Sequence, residues 1–428
     1  MKNPKKIWLK AKSKIPGGNG LLSKRPERFT KFFWPTYYKK AKNIFLWDLN
    51  NIKYTDISLM GVGSSILGYS NKNVDNFVCK KILTGVNTTL NSLEEIELAE
   101  ELLKIDKFAD LVKFSRSGGE AVSIAVRIAR AKSNKSKILF SGYHGWHDWY
   151  LSANLTDKKN LNNHLLKNLN PIGVPKELSG TNIPIKFNNV EDLNKNIQIN
   201  DIAAIVLEPG RFDKIDKNFV KEINMLCRKN KICLIIDEIT CGWRSNLGGL
   251  YKQVGLKPDI VVYGKALGNG YAISSILGKK KYMNIANKTF ISSTSWTEKV
   301  GFSAALKTIK ELKKKNYKTL INLGQLIKKN WLFYSKKNNI KIIVNDYDSI
   351  PSFKFDYKKK NEMLYTVFTN FFLKYKILAT NSVYLSFAHN RKNISHYISL
   401  LDLGFKEISK YANGDKKLKK KEIRKFNY

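Results

Sequence analysis

The chain has 428 residues, 43% of them hydrophobic, with 26 glycines and 10 prolines. That is enough for roughly two or three domains around a large buried core, and it excludes a short disordered regulator as well as collagen-like and low-complexity classes. Lysine and arginine number 76 against 35 aspartates and glutamates, a formal net charge of +41. Such an excess can serve nucleic acid or an acidic membrane surface. Here, however, lysine is spread over the whole chain and is poorly interleaved with exposed-looking aromatics, so nucleic acid is not the expected partner. The densest run, Lys416-Lys417-Leu418-Lys419-Lys420-Lys421, reads as a solvated chain end.

Four cysteines, Cys79, Cys227, Cys233 and Cys241, lack the paired short spacing of a zinc site and are too few to staple this length. No metal is expected, and the expected setting is reduced and cytoplasmic. The basic opening is interrupted by Lys10, Lys12 and Lys14 before any signal-peptide core could form. No window approaches about 18 consecutive apolar residues, so no membrane span is expected.

In chain order, about the first forty residues read as an irregular arm. Leu111 to Phe114 reads as a strand, after which Ala121, Ile124, Ala125 and Ile128 share one helical face. Lys137 to Phe140 and Ile202 to Leu207 are further strands, with a helix around Val220 to Cys227. Ile232 to Ile236, Asp259 to Tyr263 and Ile273 to Leu277 complete the apolar runs. Runs this apolar suit strands covered on both faces, and their alternation with helices predicts an α/β fold with a mostly parallel central sheet. A helix begins near Lys299. Beyond it, Ile340 to Val344, Pro351 to Phe355 and Tyr384 to Phe387 read as short strands, with helices near 362–376 and 392–411. The expected domains are 1–70, the arm and part of a small domain; 71–315, a large α/β domain; and 316–428, a smaller α+β domain with a basic tail.

Ligands of such sheets sit at the carboxyl ends of the strands, and three of those ends carry unusual residues. Ser115-Arg116-Ser117-Gly118-Gly119-Glu120 joins a strand to a helix, with capping-box spacing and two glycines that make an anion site of the helix N-terminus. Asp237-Glu238 closes a strand of apolar residues, where carboxylates are costly unless paired. Tyr263-Gly264-Lys265-Ala266-Leu267-Gly268-Asn269-Gly270 places a lysine among glycines at a strand end, a setting for a lowered pKa and Schiff-base chemistry. Each has an ordinary alternative taken singly: a capped helix, a structural ion pair, a surface lysine. Together they match what pyridoxal 5′-phosphate asks for, namely an anchored phosphate, a partner for the ring nitrogen and an amine for the aldehyde.

With these residues in place the chain resembles the class III aminotransferases of fold type I, and within them the group around glutamate-1-semialdehyde aminomutase. The likeness runs from Ile15-Pro16-Gly17-Gly18 to about residue 411. Its most specific segments are Ser117-Gly118-Gly119-Glu120-Ala121, Gly142-Tyr143-His144-Gly145, Asp237-Glu238-Ile239-Thr240-Cys241-Gly242-Trp243-Arg244 and the Lys265 loop. The resemblance implies a smaller α+β domain beside the fold type I sheet, and pyridoxal phosphate as cofactor. It implies that Lys265 bonds the cofactor and shuttles a proton, that Asp237 pairs with the ring nitrogen, and that Gly118 and Gly119 bind the phosphate. Tyr143 and Ile239 would take the two ring faces, and His144 would orient its neighbours or be structural. A homodimer is implied as well, with Thr294 completing the partner's phosphate site.

Departures from the family pattern concern the substrate. After Thr294 stands Trp296-Thr297-Glu298-Lys299 instead of a glycine-asparagine-proline turn, so Thr297 competes with Thr294 for that role. Glu208-Pro209 leads to Gly210-Arg211 rather than to a glycine- and glutamate-rich loop, which makes Glu208 and Arg211 candidate substrate-binding residues. Thr240 stands where relatives carry a larger residue beside the cofactor hydroxyl. The expected activity is amino-group transfer between an amino donor and a carbonyl acceptor. The alternatives are the intramolecular aminomutase reaction and, from another class, a basic nucleic-acid-binding protein that keeps the fold.

Overall fold

Strands whose residues are nearly all apolar can pair only where both faces are covered, and the centre of this molecule is built from them. The computed structural model describes residues 3–31, 33–211 and 213–425. The chain divides into two compact units, one comprising Lys72–Lys315 and the other Met1–Asn71 with Asn316–Tyr428.

The Lys72–Lys315 unit holds a seven-stranded sheet. Its strands are β1 (Leu111–Ser115), β2 (Lys137–Ser141), β3 (Asn182–Pro184), β4 (Ile202–Leu207), β5 (Cys233–Asp237), β6 (Ile260–Tyr263) and β7 (Ser274–Gly278). Across the sheet the order is β1-β7-β6-β5-β4-β2-β3. Strand β7 runs antiparallel to both β1 and β6, and the other pairings are parallel. Every residue of β4, β5, β6 and β7 is buried. The fold class is therefore the α/β, mostly parallel arrangement expected from the sequence. The short edge strand β3 was not foreseen.

Helix α1 (Gly118–Ser133) follows β1 and starts at Ser117, whose side chain accepts from Glu120 N–H while Glu120 caps Ser117 in return. Ala121, Val122, Ile124, Ala125, Val126, Ile128 and Ala129 are buried, a stripe at helical spacing that packs across β1 and β4 to β7.

Register then fixes the site. Ser141 of β2 pairs with Leu207 of β4, and Asp237 of β5 pairs with Val262 of β6. The following residues leave the sheet side by side: Glu208 N–H donates to Ser141 O at 2.9 Å and Glu238 N–H to Val262 O at 2.9 Å. Because β7 is antiparallel, its start, Ser274, pairs with Ser115 at the end of β1. One sheet edge thus collects Ser117, Gly142, Glu208, Asp237 and Lys265.

The second unit carries a four-stranded sheet of Tyr38–Lys42, Phe45–Asp48, Lys53–Ile57 and Ile377–Ala379, a two-stranded ribbon of Ile342–Val344 with Phe353–Phe355, and helices including Lys318–Lys337 and Asn361–Lys374. It is an α+β assembly. The expected arm is more regular than its sequence suggested: Pro4–Lys12 is a helix, begun by Asn3, whose side chain accepts from Lys5 and Lys6 N–H. Tyr384 to Phe387 is not a strand. Its amides bond singly to scattered loop carbonyls, Tyr384 to Ser58 and Phe387 to Ile66, and the apolar run is there to be buried. The expected helix at 392–411 is two, Arg391–Ser399 and Leu401–Asn413.

Gly242 lies where a Cβ would stand 2.7 Å from the carbonyl oxygen of Glu238 and 2.9 Å from the Tyr263 ring. Neither neighbour has room to move, so Gly242→Ala is expected to cost about 1–3 kcal/mol of stability. A urea midpoint equal to wild type would contradict this packing.

Candidate functional site

Lys265 follows β6 by two residues and opens a short 3-10 turn, Lys265–Gly268, with a φ of +45°. A non-glycine residue there is strained and persists only where its surroundings hold it. Its amine lies 2.8 Å from Thr240 Oγ1. Burial and then the neighbouring Arg211 guanidinium press the Lys265 pKa down to about 8, against the pull of Glu208 and Asp237.

Asp237, at the end of β5, is 3% exposed. One oxygen faces His144 Nδ1 at 2.8 Å and the other accepts from Ile239 N–H at 3.0 Å. His144 Nε2 is buried and has no hydrogen-bond partner among the described residues. Glu238, next in the chain, behaves differently. Its Oε1 accepts from Tyr251 N–H at 2.7 Å, yet burial pushes its pKa up to about 8, so it is a neutral acid at pH 7.

The first two amides of α1 belong to Gly118 and Gly119, ahead of the first intrahelical bond, from Ala121 N–H to Ser117 O. Ile239 presses so closely that a Cβ on Gly118 would stand 2.7 Å from its Cδ1, and one on Gly119 would stand 2.9 Å from the His147 ring. Glycine is required for this approach. A helix N-terminus with open amides is an anion site.

Glu208 and Arg211 form a buried pair. Arg211 Nε and Nη2 donate to Glu208 Oε1 at 2.9 and 2.6 Å, and Nη2 also donates to Thr240 Oγ1 at 2.7 Å. Burial raises the Glu208 pKa, but Arg211, His144 and Lys265 outweigh it and hold the carboxyl below its usual range. The guanidinium sits 5.8 Å from the Tyr143 ring. Tyr143, Glu208 and Arg211 also line a cavity of about 630 Å³ that reaches to His164, Phe187 and Asp213, room for a small molecule beside the Glu208–Arg211 pair.

Nine of the ten residues singled out from the sequence therefore meet at one sheet edge: Gly118, Gly119, Tyr143, His144, Glu208, Arg211, Asp237, Ile239 and Lys265. Thr294 stands apart. It is exposed on the turn Thr294–Thr297, which Arg116 clamps by donating to the carbonyls of Ser295, Trp296 and Glu298. Among the described residues no hydrogen bond joins its side chain to the lysine or the aspartate. Sequence reasoning passed over three groups. Thr240 was noticed only as a departure, whereas it bridges Arg211 and Lys265. Arg244, 1% exposed, donates through Nε to Thr240 O at 2.8 Å. Glu238 was read only as one of a pair. A charged residue inside Asp237-Glu238-Ile239-Thr240-Cys241-Gly242-Trp243-Arg244 was the available signal for Arg244.

A lysine of lowered pKa, a histidine-backed aspartate and a glycine-opened helix N-terminus suit a phosphorylated pyridine aldehyde, and comparison with known proteins agrees. Residues 29–344 match the family profile "Aminotransferase class-III". The chain is 35% identical over 328 residues to a glutamate-1-semialdehyde 2,1-aminomutase of Nitrosopumilus maritimus, covering 74% of this chain and 75% of that one. It is 30% identical over 318 residues to a 3-aminobutyryl-CoA aminotransferase of Cloacimonas acidaminovorans, covering 72% of each. Among solved structures, the FumI protein of Sphingopyxis sp. MTA144, in its PLP internal aldimine form, superposes with a TM-score of 0.86 over 96% of this chain and 97% of that one at 22% identity, a likeness of fold. The chain belongs to the class III aminotransferases. It is a pyridoxal-phosphate-dependent enzyme with the fold type I architecture.

The neutral Glu238 yields a pH test. Its folded pKa of about 8 exceeds the ordinary 4.5, so the unfolded chain loses this proton first and stability falls as pH rises from about 4.5 to 8. Glu238→Gln removes that loss. Its melting temperature relative to wild type is expected to climb over this range and level off above it; a difference independent of pH would contradict the assignment.

Proposed function

We propose that the enzyme moves an amino group between two molecules, an amino donor and a carbonyl acceptor. Lys265 carries this reading, because an amine with a pKa of about 8 is uncharged in about one molecule in ten at pH 7, already a nucleophile and then a base for proton transfer. Once bound, the cofactor supplies an aldehyde to receive the amino group and a protonated ring to hold the electron pair of a broken C–H bond. Gly118 and Gly119 hold its phosphate on their amides. Asp237, fixed by His144 and by Ile239 N–H, keeps the ring nitrogen protonated. Tyr143 and Ile239 confine the ring between them. Lys265 would take a proton from the substrate carbon and return one to the carbon that receives the amino group.

Arg211 and Glu208 stand where the substrate's reacting end enters from the cavity, and Arg211 is suited to a carboxylate. A homodimer fits the surface. Leu83, Leu90, Leu93 and Ile96 are exposed within one short stretch of chain, which suits a face covered by a second copy. The same segment is tied to the Thr294 turn through Asn87 and through Val86, which accepts from Lys299 N–H. That supports Thr294 as the residue offered to the partner's phosphate site, with Thr297 the alternative. A cytoplasmic location is supported by four free cysteines, which suit a reducing compartment. Among the described residues no helix is long and apolar enough to cross a membrane.

The intramolecular aminomutase reaction is the second reading, favoured by the 35% identical relative of that name. The two separate cleanly. Amino donors and carbonyl acceptors supplied in pairs are expected to give aminated acceptor only when both are present, while glutamate-1-semialdehyde alone gives no 5-aminolevulinate; efficient turnover of the semialdehyde alone would reverse the order. Asp237→Ala is expected to bind cofactor weakly and lose about 10²-fold or more in kcat, and an unchanged rate would contradict the role given to Asp237.

A further inference from the structure

We propose that Arg211, acting through the hydroxyl of Thr240, enlarges the uncharged fraction of Lys265, so that the loop after β4 sets the reactivity of the lysine after β6. The proposal rests on Lys265 as the cofactor-bonding residue and makes Arg211 and Thr240 its positioning residues.

A hydroxyl has one hydrogen and two lone pairs. Arg211 never gives up its charge, so its Nη2 permanently occupies one lone pair of Thr240 Oγ1, at 2.7 Å. The adjoining cation polarises the hydroxyl, making its hydrogen easier to donate and its remaining lone pair a poorer acceptor. Across the 2.8 Å to Lys265 Nζ, that favours O–H donation to an amine over acceptance from an ammonium. Glu208 fixes the guanidinium in this pose by accepting twice on Oε1, and Thr240 is itself 3% exposed, so water cannot easily take its place.

Four charged groups face the lysine. Arg211 and Arg244 favour the amine, and Glu208 and Asp237 favour the ammonium. Both carboxylates are engaged elsewhere, Glu208 by Arg211 and Asp237 by His144 and Ile239 N–H. Deleting Arg211 thus removes a cation and a polarised hydroxyl, and frees Glu208 to face Lys265. All three changes act in one direction, towards the ammonium.

The test is the pH dependence of Lys265 acetylation by trace labelled acetic anhydride in the full-length protein freed of cofactor, read by peptide mass spectrometry, with a melting curve to confirm that each variant is folded. Wild type is expected to be half-reactive near pH 8. Arg211→Gln should move that midpoint up by about one unit, roughly tenfold less reaction at pH 7; Arg211→Lys should fall between, and Thr240→Ser should match wild type. In a Thr240→Val background, Arg211→Gln should move the midpoint by less than half as much. Equal shifts in both backgrounds would mean that Arg211 acts by charge alone and would overturn the relay. No shift at all would overturn any part for Arg211. Pyridoxal phosphate binding is measured separately by absorbance: a wild-type protein that never binds it would defeat the cofactor reading and leave these midpoints standing, while normal binding with unmoved midpoints would do the reverse.

Discussion

An amine at the end of a buried strand has either to find a counter-ion or to hold its proton less tightly, and most of what is unusual about this molecule follows from the second course at Lys265. The sheet contributes the burial, because β4, β5 and β6 have no residue open to solvent. The loops after them contribute the charges, and those loops are assembled so that each carboxylate near the lysine is already taken. Asp237 is committed to His144, Glu208 to Arg211, and Glu238 is kept protonated by burial. Burial and the guanidinium groups of Arg211 and Arg244 then oppose the charge on the amine. Set against this arrangement, the net charge of +41 is a property of the exterior, where solvent and salt screen it.

The same arrangement explains why the glycines matter where they do. Gly118, Gly119 and Gly242 each lie against a neighbour that a Cβ would strike. The first two bring a helix N-terminus up to the ring site, and the third lets the turn after β5 fold back under it. Ile239 lies over Gly118 and also approaches Gly264, the residue before the lysine, so the side chain proposed to confine the ring packs against both the helix start and the lysine loop.

Much of this was legible in the sequence, for a physical reason. Lys265 and Asp237 are charged residues closing apolar runs, and Gly118 with Gly119 breaks a strand-to-helix junction; each contradicts its surroundings, and such contradictions in one chain point to a site. Six of the seven strands of the central sheet were equally plain, being mostly apolar runs, and only the three-residue edge strand β3 was not. What could not be read depended on partners distant in the chain. Thr240 looks like an ordinary threonine until Arg211 is placed beside it, 29 residues away in sequence. Tyr38–Lys42 alternates lysines with little apolar content and is largely exposed, so it reads as an arm although it is a strand. Tyr384 to Phe387 misleads in the other direction, apolar because it is buried and yet without a ladder. Thr294 carries its meaning, if the dimer forms as proposed, only in a second copy of the chain.

Reduction of the cofactor-saturated protein with borohydride, followed by proteolysis and mass spectrometry, asks directly whether the buried amine does what its surroundings prepare it for. The account predicts a single pyridoxyl-bearing peptide with the modification on Lys265, absent from Lys265→Ala. A saturated protein that yields no such peptide, or yields it on another of its many lysines, would contradict it.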